Sequence, residues 1–135
     1  MSCEIKPQPI SYGSDVCPFC SMTIIDNQHA SELITSKGRA YKFDAIECLL
    51  NYRREIDPED VAIYVCNHYT QPGELINMDK ATYLISEGIP SPMGAYLTAF
   101  DSQEAAAGAQ GEHGGTLYTW TTLLEHWEKT YVYNE

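Results

Sequence analysis

Gly38-Arg39-Ala40-Tyr41-Lys42-Phe43-Asp44-Ala45-Ile46 is a glycine turn, an alternating strand and a helix start in nine residues. Alternation at Ala40, Tyr41, Lys42 and Phe43 has the period of a strand, with every second side chain on one face. Asp44 reads as an N-cap, and Glu47 three residues on completes the pattern of a capping box. Ile46, Leu49 and Leu50 then recur at helical spacing, and Asp57-Pro58 ends the helix. The stretch aligns without a gap to Gly115-Thr116-Leu117-Tyr118-Thr119-Trp120-Thr121-Thr122-Leu123. Two matched glycine-strand-helix junctions predict an α+β fold of two small β-β-α-type units sharing one core. They read as a duplication, the bland alternative being that any such junction looks alike. If the units repeat, Met22 and Met93 hold like places, each entering the first strand of its own unit.

Outward from that stretch, residues 1–16 carry Pro7, Pro9 and Gly13 without periodicity and read as a tether. Residues 17–135 form the domain, with units of about 17–88 and 89–135. Thr23-Ile24-Ile25 and Ala30 to Thr35 suggest a hairpin across the turn at Asp26-Asn27-Gln28. Val61 to Cys66 is an apolar strand. Ala95 to Phe100 is another, followed by an Ala-rich helix that Gly111, Gly114 and Gly115 break.

The chain has 135 residues with 44% apolar side chains, ten Tyr and two Trp, enough for a packed interior. The sequence holds no run of about 18 apolar residues of the kind that spans a membrane. Nineteen acidic residues against eight basic ones give a formal net charge of −11, which repels nucleic-acid phosphates and anionic lipid surfaces.

Chemistry concentrates in Cys17-Pro18-Phe19-Cys20-Ser21-Met22. Thiolates and thioethers are soft donors that select Cu(I) over harder ions. Read as an extended segment, Cys20 and Met22 share a face and reach one ion together. Cys17 has three readings: a further ligand, a disulfide partner of Cys20, or packing. Met93, in a Pro-Met-Gly loop that leaves a long side chain outside, is a candidate third donor or a gate. Cys66-Asn67-His68 reads as a strand end with a small buried thiol rather than a ligand pair, and Cys48 reads as helix core. A zinc site of Cys17, Cys20, Cys48 and Cys66 lacks the second C-x-x-C or the H-x-x-x-H knuckle of structural sites. His113 lies in a glycine-rich loop, and lone loop histidines are usually just solvated. Asp44 and Glu47 resemble a carboxylate pair, which capping explains. Cys3, in Met1-Ser2-Cys3-Glu4-Ile5-Lys6-Pro7, fits either an ordinary exposed thiol or the lipidated cysteine of a processed bacterial lipoprotein.

CPFCSM followed by Ile24-Ile25-Asp26, the Gly38 to Cys48 stretch, Pro92-Met93-Gly94 and Gly114-Gly115 together resemble the NosL family over about residues 5–130. The resemblance implies a copper chaperone lipoprotein that takes part in nitrous oxide reductase maturation and has a fold similar to that of organomercurial lyase. It implies one Cu(I) per chain on a Cys-x-Met motif falling on Cys20 and Met22, with the later Met at Met93. It implies lipidation at Cys3 and a lipid-anchored place on the periplasmic side of a bacterial membrane. The partner implied is a copper-receiving protein, nitrous oxide reductase or its assembly proteins, and no enzymatic activity. Ser21 stands where the family usually has glycine. Two other readings stay open: a thiol-disulfide oxidoreductase using Cys17 and Cys20, and a lyase-like enzyme of related fold. The first is disfavoured because β-type residues, not a helix, follow the second cysteine.

Overall fold

The computed structural model describes residues 5–131, so Cys3 lies outside the described residues. Two antiparallel sheets and three α-helices make up the described fold, an α+β arrangement. The first sheet contains β1 (Ser31–Thr35), β2 (Ala40–Phe43), β3 (Val61–His68) and β4 (Gln71–Asn77), in the order β2-β1-β3-β4. The second contains β5 (Thr82–Ile85), β6 (Leu97–Phe100) and β7 (Thr116–Tyr118), in the order β6-β5-β7. The helices are α1 (Ile46–Tyr52), α2 (Gln103–His113) and α3 (Trp120–Tyr131).

β1 is the buried spine of the first sheet. Ser31 pairs with Phe43 on one side and Cys66 on the other, so both edges of β1 are occupied. That is why the expected hairpin between Thr23-Ile24-Ile25 and β1 does not form: no ladder edge is left to accept it. Thr23 instead makes a single bridge to Val16. Leu33, Phe43, Ile46, Leu49 and Cys66 from the first half pack with Met78, Tyr83, Leu97, Ala99, Leu123 and Trp127 from the second in one cluster. Both halves therefore share a core. A smaller cluster of Leu84, Ile89, Phe100 and Ala106 lies under α2.

The topology repeats, but not along the alignment that the sequence suggested. β1-β2-α1-β3 and β5-β6-α2-β7 each place a hairpin, a helix and a strand that returns to the other side of the first one. In that correspondence α1 matches α2, not α3. The gapless match of Gly38 to Ile46 with Gly115 to Leu123 thus pairs non-equivalent elements, which look alike because glycine, strand and helix start impose similar sequence wherever they meet. β5 belongs to the second sheet although it precedes residue 88. Met22 lies ahead of β1 while Met93 lies inside the β5–β6 connection, so the two methionines are not topological equivalents.

Candidate metal centre

CPFCSM folds as a closed knuckle rather than an extended strand. Pro18 follows Cys17 in a turn over residues 18–20, a position where its fixed φ is already correct. Ser21 N–H donates to the Cys17 carbonyl at 2.9 Å, and Cys17 N–H donates to the Met22 carbonyl at 2.9 Å. Ser21 adopts φ +66°, the left-handed region where glycine costs least. The chain therefore reverses between Cys20 and Met22, and their shared face in the extended reading is lost. Met22 is 58% exposed.

Backbone N–H groups of the knuckle and of the β2–α1 junction are aimed at its sulfurs. Those of Cys20, Asp44 and Phe19 face the Cys17 thiol, and that of Met22 faces Cys20. Cys48, in the first turn of α1, completes the group. The sulfurs of Cys17, Cys20 and Cys48 all lie within 4.8 Å of one another, and no fourth His, Cys, Asp or Glu among the described residues joins them. An ion held about 2.3 Å from each of three sulfurs needs sulfur–sulfur separations of roughly 4 Å, so the trio is already close to a ligating size. Structural zinc sites take four donors, and this set supplies three.

Protons are unequally placed in the trio. The Cys48 side chain hydrogen-bonds to Cys17, and with the backbone N–H groups it lowers the Cys17 thiol to about 5 against the pull of burial. The same bond, added to burial and the charge on Cys17, pushes Cys48 well up. Burial also raises Cys20, with the Cys17 charge adding to it. In the metal-free group negative charge is thus favoured on Cys17 over Cys20 and Cys48. Cys17 and Cys48 are sealed at 0% and 1% exposure, whereas Cys20 is half-buried. All of the described cysteines are free thiols.

Asp44 and Glu47 do not form the expected capping box. The N-cap of α1 is Ala45, with no side-chain cap. Asp44 is buried and raised by that burial, then by the Cys17 charge, while the Ile25 N–H faces its carboxylate. It ties the end of the knuckle to the start of α1. Glu47 is 3% exposed and accepts from Ser91 Oγ at 2.6 Å and from Ala95 N–H at 3.1 Å. Local capping lost to these distant donors because both carboxylates are buried, where an unmade hydrogen bond costs most.

Met93 is 44% exposed. It lines a cleft of about 110 Å³ together with Phe19, Glu47, Cys48, Asn51, Ala95 and Trp127. The loop methionine and the helix cysteine therefore face one space. Cys66 and His68 stand apart from the trio. Cys66 is fully buried with its thiol pushed up by burial, and His68 Nε2 lies 2.8 Å from Glu74 Oε1. His113 sits against Gly88, outside the site.

Sequence reading missed Cys48 as a member of the thiol group. The available signal was a lone cysteine in the first helical turn directly after the strand-to-helix junction.

The fold is similar to that of the crystal structure of the copper chaperone NosL from Shewanella denitrificans, with a TM-score of 0.72 and 20% identity over 86% of this chain and 93% of that one. No curated protein sequence matches. The sequence matches the NosL family over residues 9–127, most of its length, and the chain belongs to that family.

Proposed function

We propose that the protein is a Cu(I) carrier that holds one ion on Cys17, Cys20 and Cys48 and passes it to a copper-receiving protein. The observation that carries this reading is the convergence of three thiols within 4.8 Å, with no His, Asp or Glu joining them among the described residues. Three soft ligands suit Cu(I). Loading it on three thiolates expels the protons of Cys20 and Cys48, so affinity rises with pH. Cys20 is the only thiol of the three with appreciable exposure and is the ligand that exchanges first. Met22 and Met93 stand at the rim as neutral thioether donors for an ion on its way out, and Cys20 with Met22 remains the pair the family resemblance implies.

The rim also fits delivery to a protein. Among the described residues, apart from Ile5, the large apolar side chains left exposed are Val16, Phe19, Met22, Ile25, Met93 and Tyr96, all in the knuckle and its flanks or in the Met93 loop. Apolar surface collected around a site marks an interaction face. No lysine or arginine lies between Lys6 and Lys37 or between Lys80 and Lys129, and the basic side chains beside Val16 and Pro18 are Arg39 and Lys42, the second paired with Asp15. Nitrous oxide reductase or its assembly proteins are the recipients we favour. Cys3 is the proposed lipid attachment point, on the periplasmic side of a bacterial membrane. Oxidoreductase chemistry is disfavoured because the thiolate-bearing Cys17 is sealed from any substrate disulfide.

Anaerobic titration of the reduced protein with Cu(I), against a competing chelator, tests the reading. One ion per chain is expected in the wild type, with affinity lowered in each of Cys17→Ser, Cys20→Ser and Cys48→Ser. Binding that survives all three substitutions removes it.

A further inference from the structure

We infer that Glu47 is a positioning residue that holds the Met93 loop over the copper-binding thiols and thereby sets how fast the ion leaves. The inference rests on the carrier reading above. The loop between β5 and β6 is not in a relaxed conformation. Gly94 has φ +80° and Tyr96 has φ +60°, and the second is a bulky residue in a region that costs it energy. Such conformations persist only where their surroundings over-determine them.

One carboxylate supplies that determination. Ser91 Oγ donates to Glu47 Oε2 at 2.6 Å and accepts the Tyr96 N–H at 2.9 Å. Ala95 N–H donates to the same Oε2 at 3.1 Å. The Tyr96 carbonyl in turn accepts from Ser86 N–H at 3.0 Å, and Gly94 N–H closes on the Ser91 carbonyl at 3.0 Å. Residues on both sides of Met93 are thus bound, directly or through Ser91, to one buried atom. Glu47 is also the residue before Cys48 on α1, and Glu47, Cys48 and Met93 line the same cleft. The helix that delivers a thiol to the ion therefore also carries the clamp for the loop whose methionine shares that thiol's cleft. Glu47 Oε1 is buried without a partner, so the clamp bonds of this carboxylate fall on one oxygen. Charge-assisted bonds of this kind are the strong ones.

The test measures release of Cu(I) from the loaded full-length protein to excess bathocuproine disulfonate. Glu47→Ala is expected to speed release about tenfold, the rate equivalent of one lost charge-assisted hydrogen bond. Glu47→Gln keeps an oxygen that can accept both bonds, though without the charge, and is expected to release more slowly than Glu47→Ala. Met93→Ala is expected to match Glu47→Ala, and the double variant to be no faster than either single one. In the metal-free protein, hydrogen exchange at the Ala95 and Tyr96 amides should rise more in Glu47→Ala than in Glu47→Gln. Additive rates, an unchanged rate in Glu47→Ala, or a Glu47→Gln as fast as Glu47→Ala would overturn the inference while leaving the carrier reading intact. A wild-type protein that takes up no Cu(I) sinks the carrier reading and this inference together.

Discussion

The thiol of Cys48, in the first turn of α1, donates its hydrogen to the thiolate of Cys17, in the knuckle before β1. One bond thus links the two elements that build the candidate metal centre, and it favours charge on Cys17. Its removal has a direct consequence. In Cys48→Ala, Cys17 loses its largest stabilising donor and its titration should move up from about 5. In Cys48→Ser a hydroxyl donor remains, and the rise should be smaller. Thiolate ultraviolet absorbance against pH, with Cys17→Ala as the blank, measures both. An unchanged midpoint in Cys48→Ala contradicts the assignment.

Ser21 holds φ +66°, so glycine should relieve strain there. Ser21→Gly is expected to stabilise the fold by about 1 kcal/mol, since the left-handed region costs a non-glycine residue roughly that much. Ser21→Val, β-branched, should destabilise it. Chemical denaturation of the three proteins in reducing buffer reads the order, and a less stable Ser21→Gly would refute the strain.

Glu32, on the central strand β1, is fully buried. Burial raises its carboxyl to about 7, against the pull of the Gln8 N–H and Lys42 and with a further push from Asp15. The folded state therefore keeps a proton that the unfolded state has lost above 4.5. Stability from this group is greatest at acid pH and falls as pH rises from about 4.5 to about 7, by on the order of 1–3 kcal/mol. Glu32→Gln, whose oxygen can still accept from Gln8, should remove that slope and be more stable than wild type at pH 8. Equal pH dependence in the two proteins would contradict the burial argument.

Cys66 shares its residue type with the clustered cysteines but not their surroundings. Cys66→Ser should cost about 1–3 kcal/mol by burying an unpaired hydroxyl, and leave Cu(I) stoichiometry unchanged. Thermal melts and copper titration separate the two effects, and a loss of bound copper without loss of stability would assign Cys66 to the site.

These residues also mark what the sequence could and could not disclose. The strand-to-helix passage at Phe43-Asp44 and the sulfur-rich knuckle were legible because both are written in adjacent residues. Cys48 was not, because helical spacing tells which face a residue occupies and not which distant loop that face meets. Glu47 was assigned to capping, a local partnership, while its actual donors lie at Ser91 and Ala95, beyond any local pattern. The reversal at Ser21 was hidden because a serine carries no turn signal as strong as a glycine would. The α+β class and shared core survive such errors, since they depend on many apolar positions together.

The copper edge reports the ligand shell itself. X-ray absorption of the protein loaded anaerobically with one Cu(I) should show a first shell of about three sulfur atoms near 2.3 Å, falling to about two in Cys48→Ser. A shell containing nitrogen or oxygen in the wild type, or one that Cys48→Ser leaves untouched, would contradict a three-thiol centre.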